Sequence, residues 1–192
     1  MINVLIALFV IIVLWTIWGY FGSRVEQADY SVVKKMDGYE IREYPVHIVA
    51  QTTVEGSYNE SMSAGFRIVA RYIFGGNNKK KSIAMTAPVV ATMESKSQII
   101  SFGIPRSYTL ETLPIPNDPR VNIVMIPAKK YAVIRFAGYR SEARVKTMQS
   151  TLFASLARDG VMPQGSAAYA GYNAPWTPPW MNRNEVMVEI SN

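Results

Sequence analysis

Shifted by about 82 residues, this chain aligns with itself, and no other feature restricts its possible folds as strongly. The first copy runs Tyr44-Pro45-Val46, then Val49 to Val54, then Glu55-Gly56-Ser57-Tyr58-Asn59-Glu60. The second runs Ile126-Pro127-Ala128, then Tyr131 to Phe136, then Ala137-Gly138-Tyr139-Arg140-Ser141-Glu142. Pro45 falls on Pro127, Ala50 on Ala132, Gly56 on Gly138 and Glu60 on Glu142. Each copy reads as a strand, a glycine-containing turn and a helix, so two related halves are expected.

Apolar spacing supports the helices. Met62, Phe66, Val69 and Ile73 form one stripe at the helical period, and Val145, Met148, Leu152 and Leu156 form its counterpart. Ser57-x-x-Glu60 has the form of a capping box, in which each side chain satisfies an orphan N–H of the first turn. Gly75-Gly76 and Gly160 are the expected stops, because glycine adopts positive φ cheaply. Strands are expected at Val46–Val54, Ile83–Met93, Gln98–Ile104, Val121–Ile126, Lys130–Phe136, Ala168–Tyr172 and Glu185–Ile190. Runs of strands broken by two helices argue an α+β fold, not a doubly wound α/β sheet. Pro105, Pro114, Pro116 and Pro119 mark a long irregular connection between the halves, and Pro175, Pro178 and Pro179 another near the end.

Ahead of the repeat, Ile2 to Phe21 carry no charged side chain. About 20 helical residues span about 30 Å, the thickness of a bilayer's hydrocarbon core. The segment lacks the basic n-region of a signal peptide and is apolar on every face. Trp15, Trp18 and Tyr20 stand where amphipathic rings favour headgroups, and Gly19, Gly22 and Ser23 loosen the helix beyond. An uncleaved single-pass membrane anchor over residues 1–22, a linker over 23–29 and one domain over 30–192 are expected. Arg24, Lys34 and Lys35 follow the segment and none precedes it, which leans the domain towards the cytoplasm.

The chain has no cysteine and one histidine, His47. Disulfides, thiolate metal sites and His-rich metal clusters are thereby excluded, and any Ser-His-Asp triad must run through His47. The net charge of +6 is mild, and its one tight run, Lys79-Lys80-Lys81, reads as a solvated loop tip or a contact for an anionic group. Nucleic acid is not an expected partner.

Three stretches are more specific: YEIREYP (Tyr39 to Pro45), ARYIFGGNNKKKSIAMTAPV (Ala70 to Val89, with IAMTAPV at its core) and AGYNAPWTPPWMNRNEVMVEI (Ala170 to Ile190). In this order and spacing they resemble the SOUL haem-binding family over roughly residues 30 to 191. The resemblance implies two pseudo-symmetric βαββ-type halves forming a distorted β-barrel-like sheet flanked by two helices. It also implies haem or a related tetrapyrrole as a non-covalent, reversibly held ligand, in a carrier or buffer without catalysis. Haem in this family is thought to lie against the first helix of the domain, near the late loop. The matching positions here are Tyr58, Met62, Phe66, Arg67 and Arg71, with Trp176 and Trp180 in the late loop to cap a porphyrin face. The bland alternative for Met62 and Phe66 is core packing. IAMTAPV reads as a buried strand that packs without touching the ligand, and Arg183 and Glu185 are expected to pair with each other or to fix the preceding loop.

His47 is the natural iron ligand, and the alternative is a half-buried or surface histidine without metal. No nucleophile elbow, P-loop, dinucleotide fingerprint or metal triad is present. Three alternatives stay open beside haem: an enzyme with a site built from Glu, Tyr and Arg, which leaves little trace in sequence; another hydrophobic small molecule, since the architecture resembles effector-binding domains of bacterial regulators; and a docking role for the Trp-Pro loop.

Overall fold

The structure is a computed structural model that describes residues 2–22, 25–94 and 97–191. Helix α1 (Ile2–Gly22) leads into a short strand β1 (Glu26–Gln27), β2 (Ser31–Lys35), β3 (Glu40–Tyr44) and β4 (His47–Glu55). Helix α2 (Tyr58–Ile73) follows, then β5 (Thr86–Ala87), β6 (Val89–Met93), β7 (Ser97–Gly103) and β8 (Asn122–Ile126). The second half carries β9 (Lys129–Phe136), α3 (Glu142–Arg158), β10 (Pro163–Gly171), a 3-10 turn at Pro179–Met181 and β11 (Asn184–Ile190). The class is α+β. Nine strands form one antiparallel sheet in the order β2-β3-β9-β11-β10-β6-β7-β4-β8, curled into a half-barrel. β1 and β5 form a separate parallel pair.

The strand order reads outward in a matching way from the central β10–β6 pair: β11, β9 and β3 on one side answer β7, β4 and β8 on the other, and β2 is added beyond β3. Both helices pack on the same face, α2 over β4 and β7, and α3 over β9, β10 and β11. Their stripes explain this. Val69, Ile73, Val145, Leu152 and Leu156 are fully buried, and Met62, Phe66 and Met148 pack against the same core. Gly65 lets α2 approach closely, since a Cβ there would meet Ile100 Cγ1 at 2.4 Å. Gly65→Ala is therefore expected to cost about 1–3 kcal/mol through overpacking, read as a lower urea midpoint; an unchanged midpoint would mean that α2 slides off β7 freely.

The helix ends depart from the capping expectation in one place. Ser141 accepts from the Arg144 N–H at 3.2 Å, a true N-cap. Ser57 caps no backbone group; its hydroxyl donates to Glu60 Oε2 at 2.6 Å, and that bond holds the Glu60 carboxyl below the usual range. Gly75 and Gly160 have φ of 101° and 67° and end α2 and α3. Pro88 divides the expected Ile83–Met93 strand into β5 and β6, because it has no N–H to give to the ladder.

The expected single-pass membrane location is overturned. Among the described residues no helix is long and apolar enough to cross a membrane. The end of α1 is instead docked on the late loop. Trp15 Nε1 donates to the Trp176 carbonyl at 2.8 Å, and its ring meets Trp180 edge-on at 5.4 Å. Gly19 lies so near Pro178 that a Cβ would come within 2.5 Å of its Cδ. These contacts belong to the C-terminal end of α1, while Leu5, Ile6, Phe9 and Leu14 further back remain exposed. Ser23, Arg24 and the side chains of Trp18 and Tyr20, which entered the membrane argument, lie outside the described residues.

Candidate functional site

With both helices on one face, the other face of the half-barrel is left uncovered by helix. Its residues follow the period of two along each strand. His47, Val49 and Gln51 come from β4, Ile99 and Ser101 from β7, and Val90 and Thr92 from β6. Ala168 from β10, Met187 and Glu189 from β11 and Tyr131 from β9 continue the floor across the join of the halves. Together they floor a cavity of about 370 Å³, within the range of cofactor and small-molecule pockets.

Three devices wall this cavity. The β1–β5 pair brings Glu26 to Asp29 against Thr86, Ala87 and Pro88. The IAMTAPV stretch thus does more than pack: Ile83 sits in the core, but Thr86 to Pro88 line the cavity. Arg106 latches this wall by pairing with both Glu26, at 3.1 Å, and Asp29. On the far side the ladder slips between Gln164 and Ala168, where Gly165 has a φ of 71°, and this bulge raises Gln164 to Ser166 as a rim.

The floor is mainly apolar, with polar groups at fixed places. Burial pushes the Tyr44 and Tyr131 phenols above the ordinary tyrosine value, so both stay neutral. Lys129 and Glu189 neutralise each other at 2.5 Å. His47 is half-buried, and its Nδ1 lies 2.8 Å from the Pro45 carbonyl. Among the described residues no three His, Cys, Asp or Glu side chains converge on a metal site.

Beside the cavity lies a buried ionic network. Glu185 is fully buried and receives Arg42 Nη1 at 3.0 Å and Arg183 at 2.9 Å. Arg42 also pairs with Glu40 at 2.8 Å. Burial opposes the Arg42 charge, yet Glu185 and the hydrogen bond to Glu40 hold it protonated more firmly than an ordinary arginine. Arg183 lies 3.7 Å over the Tyr172 ring and reaches the Tyr30 hydroxyl at 3.0 Å, while its own N–H donates to Asn173 at 2.6 Å. Arg183 and Glu185 therefore pair with each other and fix the preceding loop, as expected.

The other sequence-derived site residues lie away from the cavity. Tyr58, Met62 and Phe66 are partly buried against the core under α2, and Phe66 meets Phe102 at 5.1 Å. Arg67 and Arg71 are exposed. Trp176 and Trp180 are 50% and 55% exposed. The first turn of α2 and the late loop share a neighbour. The Tyr58 phenol, pushed up to about 12 by burial and by Tyr169, also feels Arg140 and Glu142, and Gly138 of the same turn donates to the Pro179 carbonyl at 3.0 Å. Arg71, thirteen residues on, is roughly 20 Å further along the helix axis, so these residues do not form one compact surface. The cavity residues were not predicted as a set. Alternation along His47-Ile48-Val49-Ala50-Gln51 is the only local signal for them.

A sequence profile of the family described as SOUL heme-binding protein matches residues 25–189. Human Heme-binding protein 2 is 33% identical over 146 residues, covering 71% of this chain and 71% of its own. Heme-binding protein 1 of Xenopus laevis is 27% identical over 175 residues, 84% of this chain and 90% of its own. The EcmrR C-terminal domain shares the fold with a TM-score of 0.63 at 11% identity, covering 85% of this chain and 98% of that one. A hydrolase from Listeria innocua does so at 0.56 and 11%, over 80% and 91%.

Proposed function

Because the chain belongs to the SOUL heme-binding protein family, we propose that it binds haem non-covalently and reversibly, as a carrier or buffer, in the cavity on the helix-free face. One observation carries this reading: the largely apolar cavity of about 370 Å³ that crosses the join of the two halves. Haem is a flat apolar disc with two carboxylates and needs such a floor. Val49, Val90, Ile99 and Met187 supply the apolar contact, and Tyr44 and Tyr131 supply aromatic edges with neutral hydroxyls. When bound, haem supplies an iron centre held out of bulk water. The same reading treats the halves as two copies of one βαββ unit, with the ligand seated where they meet, and assigns no catalytic step to any residue.

A second reading keeps the haem on the α2 face, against Tyr58, Met62, Phe66, Arg67 and Arg71 and beneath Trp176 and Trp180. The half-exposed indoles favour it. The docked end of α1 and the distance to Arg71 count against it.

Hemin titration of the full chain tests the function. Saturable uptake near one equivalent, read at the Soret band, is expected. A featureless, non-saturating response would remove haem and leave another hydrophobic small molecule as the cavity's ligand.

A further inference from the structure

We propose that His47 is the axial ligand of the haem iron, binding through Nε2 while the Pro45 carbonyl fixes its tautomer. This rests on the haem reading above.

Nδ1 of His47 lies 2.8 Å from the Pro45 oxygen, and a carbonyl oxygen can only accept. Nδ1 must therefore carry the proton, and in the neutral ring the lone pair falls on Nε2. Ligating histidines are oriented in this way, through a carbonyl or carboxylate at the other nitrogen. The local sequence builds the bond. Pro45 has a fixed φ and no N–H, and two residues later His47 opens β4 in the register of Val49 and Gln51, which floor the cavity.

The donor inventory then selects the ligand class. A bare metal ion needs several protein ligands, and among the described residues no such group gathers. His47 is the chain's only histidine, and cysteine is absent. One imidazole beside an apolar floor suits a metal that brings its other ligands with it, which is what a metalloporphyrin does. The other donors on the floor are weaker: Tyr44 and Tyr131 are held as neutral phenols, and Met187 offers a thioether.

The test uses the full chain with hemin as probe, comparing wild type and His47→Gly. Wild type is expected to give the ferric absorption and electron paramagnetic resonance signature of an imidazole-ligated iron. His47→Gly is expected to bind hemin on the order of tenfold more weakly, with a displaced Soret band that free imidazole restores. A His47→Gly spectrum identical to wild type would overturn the ligand assignment and leave the haem reading standing. Failure of wild type to take up hemin would overturn both. A measurement on the ligand-free wild type guards against a misfolded variant: ring nitrogen-15 shifts should show Nδ1 protonated and Nε2 bare, and the opposite tautomer would overturn the proposal.

Discussion

Arg42→Met should cost about 3–5 kcal/mol of folding stability, the usual result of removing one partner from a buried ion pair. Arg42 is 3% exposed and Glu185 is fully buried. The methionine would match the aliphatic stem but leave one carboxylate oxygen of Glu185 facing apolar surface and tyrosine rings, with Arg183 as its remaining cation. The loss extends beyond the pair. Arg42 also lies 4.3 Å over the Tyr30 ring, and Tyr30 belongs to the segment that leads from the cavity wall into β2. Loosening of that wall should accompany the stability change. Urea unfolding of the variant would measure it. A loss below about 1 kcal/mol would mean that water reaches Glu185 and that the network resembles a surface salt bridge. Adding Glu185→Gln to the same background should recover part of the loss, since the unpaired charge, more than the missing contact, sets the cost.

That network also shows why part of the fold was hard to read in the sequence. The strands β4, β8, β9 and β11 were legible because β-branched and aromatic residues concentrate there. The helices were legible because their stripes face the only helix-covered side of the sheet. β3 was not, since Arg42 occupies a buried position and a charge there reads as solvent-facing. β2 was not, since all five of its residues are exposed and Val32 and Val33 stand side by side without alternation. β10 was seen only from Ala168 onward because the bulge at Gly165 hides its first half. The membrane reading relied on the segment's length, its lack of charge and its flanking residues, none of which reveals that Trp15 and Gly19 meet the late loop.

The candidate site divides in the same way. His47 stood out by being unique. The residues around it come from eight strands of the sheet and from the β1–β5 pair, whose members are more than fifty positions apart, and only the curl of the sheet assembles them. The α2 residues, by contrast, came from the family resemblance; Met62 and Phe66 also belong to a helical stripe whose own physics is core packing, and that is where they are found.

Ser101→Trp separates the two placements of the haem. Ser101 sits on β7 facing the cavity, half-buried, opposite Gln51. Its side chain points away from the helix-covered core, so an indole there would project into the cavity's open space and leave that core intact. An indole occupies much of the room a porphyrin face needs, and hemin affinity should fall on the order of a hundredfold, about 2.7 kcal/mol. The circular dichroism spectrum and urea midpoint should stay close to wild type. Trp180→Ala is the matched change on the other face, where the indole is 55% exposed, and should leave affinity within about twofold. The reverse pattern, with Ser101→Trp silent and Trp180→Ala damaging, would move the haem to the α2 face and strip the cavity of this role. The cavity reading makes the sharper demand: a single added ring, on a strand far in sequence from the late loop, must block binding by volume alone.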